Sequence, residues 1–261
     1  MKLYKVISIK IVLSFTLIAC YAQNSVYNLN KPDQTLTLGS ELNEISGLHS
    51  ISKSELIAIQ DEEGIIYYIR KIDGKVLKTK KFGKKGDYEG ITLYKQKIYV
   101  LESNGNIHIY KNNKSTSYHF KKEGKFDFEG LCHDRKNNQL LVACKTHGNK
   151  DKRDHIFIYG FDISENKYHK SPIFKIKKEK NYKKFWPSGI AIHPNGEIFV
   201  LSSRSKMLMV LSPKGDVLKT QNLAPSLFHQ PEGISFSSNG DLYISNEKRK
   251  TKPTLLKFKV E

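Results

Sequence analysis

A five-residue pattern ending in glycine and an aliphatic residue occurs five times in this chain. Its copies are Glu44-Ile-Ser-Gly-Leu48, Asp87-Tyr-Glu-Gly-Ile91, Asp127-Phe-Glu-Gly-Leu131, Trp186-Pro-Ser-Gly-Ile190 and Gln230-Pro-Glu-Gly-Ile234. The glycines, Gly47, Gly90, Gly130, Gly189 and Gly233, are separated by 43, 40, 59 and 44 residues. Repeats of roughly 40–50 residues built from short strands mark a β-propeller, one repeat to a blade. The pattern also puts acidic side chains at the same point of several blades.

Each glycine opens an apolar stretch, and a second apolar stretch follows a turn. The second stretches align as Leu56-Ile-Ala-Ile59, Ile98-Tyr-Val-Leu101, Leu140-Leu-Val-Ala143, Ile198-Phe-Val-Leu201 and Leu242-Tyr-Ile-Ser245. They are rich in the β-branched and aromatic residues that strands favour. Turn signals such as Ser103-Asn-Gly105 and Ser238-Asn-Gly240 separate them. The expected fold is all-β, a five-bladed β-propeller. The 59-residue interval leaves a six-bladed alternative, but no sixth glycine motif lies within it, so it is read as one enlarged blade. The last repeat stops after three strands. Gln34-Thr-Leu-Thr-Leu38 is expected to add the fourth and close the ring.

The first residues read as a leader. Lys2, Lys5 and Lys10 precede an apolar run from Ile11 to Ala19, shorter than the ~20 residues of a membrane span. The run ends in Leu17-Ile-Ala-Cys20, which resembles the lipobox of bacterial lipoproteins, with Cys20 the lipidated residue. Ordinary cleavage after Ala22 is the alternative. Residues 1–20 are thus expected to be the leader, 21–33 a tether and 34–261 the propeller. The mature chain is expected at the cell envelope, anchored to the membrane, or else secreted or periplasmic.

The net charge is +18. Nucleic-acid binding is not the reading. The basic residues are almost all lysine, with only Arg70, Arg135, Arg153, Arg204 and Arg249 to make the forked contacts that phosphates and bases favour. The lysines are also spread through every repeat rather than gathered in one patch.

In a propeller the innermost strands line a central channel. The residue before each motif glycine is Ser46, Glu89, Glu129, Ser188 or Glu232. A second ring is expected where the second strands end, at Asp61, Glu102, Lys145, Ser202 and Asn246. Glu62 and Glu247 stand one step further, and Glu44 two before Ser46. Converging carboxylates repel, which a bound cation, a matched positive group or raised pKa values resolves. Oxygen ligands without cysteine suit a hard ion such as Ca²⁺. The expected metal ligands are Glu89, Glu129, Glu232, Glu102 and Asp61, with the ion toward the Glu89–Glu129 side. His133 and His193, near the ends of innermost strands, are the candidate acid–base residues.

These motifs, with Gly189-Ile-Ala-Ile-His-Pro-Asn-Gly-Glu-Ile-Phe-Val200, resemble the SdiA-regulated domain family, distantly related to NHL-repeat propellers, over roughly Leu36 to Glu261. The resemblance implies a five-bladed, exported propeller with bound calcium and no established biochemical activity. Ser46 and Ser188 depart from the acidic pattern. Two functions follow as expectations. One is a binding module for a small molecule or an envelope protein. The other is a calcium-dependent hydrolase of esters, lactones or phosphoesters, as some related propellers are, with His133, His193 or a channel glutamate as base.

Overall fold

The computed structural model describes residues 27–260. The leader and Cys20 lie outside the described residues. Strand β1 (Gln34–Thr37) comes first. Blade 1 is β2 (Ile45–Ser50), β3 (Glu55–Gln60), β4 (Ile65–Arg70) and β5 (Val76–Lys81). Blade 2 is β6 (Tyr88–Tyr94), β7 (Lys97–Glu102), β8 (Ile107–Lys111) and β9 (Lys114–Tyr118). Blade 3 is β10 (Asp127–Asp134), β11 (Gln139–Thr146), β12 (His155–Asp162) and a broken outer strand, β13 (Lys167–Tyr168) and β14 (Phe174–Lys177). Blade 4 is β15 (Gly189–Ile192), β16 (Ile198–Ser202), β17 (Met207–Leu211) and β18 (Val217–Asn222). Blade 5 is β19 (Pro231–Phe236), β20 (Leu242–Asn246), β21 (Thr254–Phe258) and β1.

There are five blades, and the long interval is one enlarged blade with β13 and β14 both paired to β12. The closure is the one the sequence predicts. β1 pairs antiparallel with β21, Leu36 opposite Leu255, so the first and last strands share one sheet and leave no seam. Among the described residues helix is confined to three short 3₁₀ turns, and none is long and apolar enough to cross a membrane.

Burial follows the radial order of the strands. The second strands, such as β3 and β16, are buried on both faces because a neighbouring blade covers each side. The outermost strands are exposed and carry lysines, among them Lys78, Lys80, Lys81, Lys114, Lys175 and Lys219. Charged outer edges discourage pairing with another chain, which gives the positive charge a structural role. The core is divided into five clusters, one at each blade interface. Ile57 and Ile59 of blade 1, for example, pack with Ile91 and Val100 of blade 2.

The motif glycines explain how five blades meet at one axis. A Cβ on Gly47 would lie 3.0 Å from the Ile91 nitrogen, on Gly90 2.8 Å from that of Leu131, and on Gly130 2.8 Å from that of Ile190. On Gly189 it would lie 2.3 Å from the Glu232 carbonyl oxygen. Neighbouring backbones thus touch at the position the glycine vacates, and Gly130 also adopts a φ of +105°.

The expected tether differs from the structure. Tyr27 and Leu29 are buried in the interface between blades 4 and 5. The Tyr27 hydroxyl donates to the Gly240 carbonyl at 2.5 Å. Two apolar residues in a polar segment gave this segment an anchor.

Candidate functional site

The aliphatic residues that follow the motif glycines, Leu48, Ile91, Leu131, Ile190 and Ile234, surround the axis. They and the glycines leave a void of about 10 Å³, on the order of the space one water needs. The channel is therefore closed at its waist. Residues before the glycines face one end, and residues after them face the other.

At the first end, acids gather. Glu129 is buried, and Glu89 and Glu232 are half-buried. Burial, then Glu129, raises the Glu89 carboxyl. Burial, then Glu232, raises Glu129, and Lys145 opposes this. Burial, then Glu247, raises Glu232, while a hydrogen bond from Ser203 and the Lys145 charge hold it back. The three glutamates of the motif thus converge, as the sequence predicts. The two serines serve the ring instead. Ser46 Oγ donates to the Tyr88 carbonyl of blade 2 at 2.6 Å, and Ser188 Oγ to the Pro231 carbonyl of blade 5 at 2.9 Å.

In blades 2, 4 and 5 the second ring stands one residue further along than the sequence alignment places it, whereas Asp61 and Lys145 are already in register. Tyr88 pairs with Glu102, Pro231 with Asn246 and Ile45 with Gln60. The counterpart of Glu102 is therefore Gln60, and Asp61 belongs with Ser103, Lys145, Ser203 and Glu247. Successive side chains on a strand face opposite ways. Ser103 Oγ accordingly donates to Asp87, and Lys145 Nζ to Glu129. Glu102 turns to its own blade, accepting from Asn106 Nδ2 at 2.8 Å with His108 Nε2 at 3.4 Å.

Lys145 also lies 3.7 Å from Asp127. The Glu89–Glu129 side, expected to hold the ion, thus carries an internal ammonium. The close carboxylates are elsewhere. Glu44, Asp61 and Glu247, from blades 1 and 5, each bring an oxygen within 4.8 Å of the others. Two oxygens on opposite sides of a Ca²⁺ ion at ~2.4 Å lie ~4.8 Å apart, so the spacing fits that ion. Asp61 Oδ1 is buried without a hydrogen-bond partner among the described residues. Glu247 accepts from Gln230 Nε2, which is itself tied to Arg249. Burial, with Glu44, Glu62 and Asp87 beside it, pushes Asp61 up to about 6. Burial, then Glu44 and Asp61, pushes Glu247 up to about 8. Only Asp61 of this trio was among the ligands expected. A register correction of one residue in the second strands brings Glu247 beside it.

The histidines stand at the other end. His133 stacks on Tyr94 with ring centres 4.1 Å apart. His193 packs against Tyr27, Phe199 and Phe236, and its Nδ1 accepts from the Asn195 backbone at 3.2 Å. Glu129 and His133 are four strand positions apart, at most roughly 13 Å at ~3.3 Å per residue, and the aliphatic waist lies between. Neither histidine joins the carboxylates in one site. Cys132 and Cys144 are free buried thiols, and burial raises both.

The sequence profile of the SdiA-regulated family matches residues 26–250. This chain belongs to the SdiA-regulated family. Among solved structures, the SdiA-regulated chain is similar to a glutaminyl cyclase of Myxococcus xanthus, with TM-score 0.63, 12% identity, and 88% of this chain and 96% of that one covered. It is also similar to a PQQ-bound aldose sugar dehydrogenase of Streptomyces coelicolor, with TM-score 0.58, 12% identity and 88% and 98% covered. The WD40 propeller domain of Doa1 aligns with TM-score 0.53, 10% identity and 91% and 98% covered. At such identities the likeness is one of fold. No curated protein matches the sequence.

Proposed function

We propose that this SdiA-regulated protein is a calcium-stabilised propeller of the cell envelope, lipid-anchored through Cys20, that acts as a binding module. The observation that carries the calcium reading is the trio Glu44, Asp61 and Glu247, oxygens within 4.8 Å, with one Asp61 oxygen buried and unpartnered among the described residues. Such a set of hard oxygen donors suits Ca²⁺. Its charge would relieve the repulsion that raises Asp61 and Glu247. Lys145 relieves the Glu129 side on its own.

A binding module is favoured over a hydrolase by the position of the histidines. A substrate held by the ion would need a base on the carboxylate side of the waist; His133 and His193 are on the other, which leaves a channel glutamate, and Glu129 is already tied to Lys145.

Thermal unfolding with Ca²⁺, with Mg²⁺ and with chelator tests the metal reading. Millimolar Ca²⁺ is expected to raise the Tm by several degrees, about 1–3 kcal/mol by mass action, and Glu247→Gln to abolish the rise. An unchanged Tm in Ca²⁺ would remove the ion from the function. Anchoring is tested by whether Cys20→Ala releases the protein from the membrane fraction.

A further inference from the structure

Beyond the aliphatic waist the channel opens into a cavity of about 840 Å³, the size of a small-molecule site. Its floor is apolar, made by Leu48, Leu131, Ile190 and Ile234. Its wall is rich in hydrogen-bond donors and positive charge. Arg135 and Lys53 line it, and neither side chain has a hydrogen-bond or ion-pair partner among the described residues. The acid beside them, Asp134, is fully engaged in its own turn. Oδ1 accepts from the backbone of Lys136 and Asn137, and Oδ2 from the side chains of Asn137 and Gln139.

Behind this wall sits a buried ammonium. Lys71 is 6% exposed and forms no ion pair among the described residues. Its Nζ donates to Ser50 Oγ and to the Ser52 carbonyl, each at 2.7 Å. Asp241, the acid nearest in effect, is bonded to Lys257 at 2.8 Å. A buried charge without a counter-ion is costly; the Lys71 ammonium lies 4.8 Å from the centre of the Tyr243 ring and directs one of its two hydrogen bonds at Ser50. With its oxygen accepting from Lys71, Ser50 keeps its own proton to donate. Ser235 Oγ accepts from the Ser50 backbone at 2.8 Å and is likewise left a donor. Both serines line the cavity. Burial and then Arg135 push His49 and His133, on the same wall, down to about 4.

We propose that this cavity is the ligand site of the propeller and that it takes a small organic anion, a carboxylate head on an apolar body. The head meets Ser50, Ser235 and Arg135, with the Lys71 charge behind, and the body covers the aliphatic floor. This assignment rests on the binding-module reading but not on the metal.

Calorimetric titration with octanoate, 1-octanol and inorganic phosphate at pH 7 tests it. Octanoate is expected to bind about tenfold or more tighter than either, the worth of one charge-assisted hydrogen bond. Arg135→Gln and Ser50→Ala are expected each to weaken octanoate about fivefold or more and leave octanol unchanged. Arg135 is exposed, so its replacement leaves the fold intact. Equal affinity for octanol, phosphate as tight as octanoate, no binding of octanoate, or variants that bind it unchanged would each overturn the assignment. Octanoate binding that persists in chelator, without any effect of Ca²⁺ on Tm, sinks the metal reading alone. A Ca²⁺-dependent Tm without octanoate binding sinks the ligand assignment alone.

Discussion

The Lys145 ammonium is hydrogen-bonded to the Glu129 carboxylate inside the channel, with Asp127 3.7 Å from the same nitrogen. One lysine of a lysine-rich chain has thus turned inward to do what an ion would do. Removing it leaves Glu129 facing Glu232 and Asp127 without a counter-charge. Lys145→Met is expected to cost about 2 kcal/mol at pH 9, where Glu129 is ionised, at the lower side for a broken internal pair because the lysine is partly exposed. Urea unfolding measures it. The cost is expected to shrink at pH 6, because Glu129, pushed up to about 8, takes up a proton there instead. An equal loss at both pH values would mean that packing, not charge, was removed.

The carboxylates of the ion trio set a pH dependence. Glu247 is pushed up to about 8 and Asp61 to about 6, with Glu129 and Glu232 displaced the same way. The unfolded values lie near 4. The folded chain therefore binds more protons than the unfolded chain between these limits, and its stability falls as pH rises through them. His49 and His133 act in the opposite sense, because burial lowers them to about 4. Their effect ends near pH 6.5, where the unfolded rings also lose their protons. Lys71, lowered to about 8 by burial and Lys257, acts only above that. In chelator, Tm is thus expected to fall between pH 6.5 and 8, and Glu247→Gln to flatten the fall. Tm rising over this interval would contradict the assigned shifts.

The blade count, the order of strands and the closure by Gln34–Thr37 were legible because glycine and apolar spacing report backbone packing directly. The site was only half legible, for a geometric reason. Glu89, Glu129 and Glu232 stand next to the glycines, whose position the axis fixes. Asp61, Glu102 and Glu247 stand at the ends of second strands, where an error of one residue exchanges the channel side for the blade interior. Glu102 was drawn in by that error, and Glu247 was left out by it. The closed waist was not legible either, because it depends on how closely five backbones approach, and it is what separates His133 and His193 from the acids.

Two glycines with positive φ separate backbone strain from blade contact. Gly196 has φ +93°, and a Cβ there would meet only Pro213 Cγ at 3.5 Å. Gly130 has φ +105°, and a Cβ there would lie 2.8 Å from the Ile190 nitrogen and 2.9 Å from Gly189. Gly196→Ala is expected to cost about 1 kcal/mol, the conformational term alone. Gly130→Ala is expected to cost more than about 3 kcal/mol, because neighbouring backbone has no rotamer with which to yield. Denaturation midpoints compare them directly. Equal costs would mean that blades 3 and 4 move apart freely, and the waist would then be no barrier.

Tyr27 fastens the segment before β1 to blades 4 and 5. It is 6% exposed, its ring lies 6.1–6.2 Å from those of His193, Phe199 and Phe236, and its hydroxyl reaches the Gly240 carbonyl. Burial, then Asp241, raises the phenol well above its ordinary value, so the hydroxyl stays protonated and remains a donor. Tyr27→Phe removes the hydrogen bond and keeps the ring, at an expected cost of about 1 kcal/mol. Tyr27→Ala removes the ring from a packed interface, at an expected cost of about 3 kcal/mol. Because His193 and Phe236 also line the cavity, Tyr27→Ala is expected to weaken octanoate binding, whereas Tyr27→Phe is not. Unfolding midpoints and calorimetry of the two variants check both effects. A Tyr27→Ala variant as stable as the parent would make this segment a free tether after all.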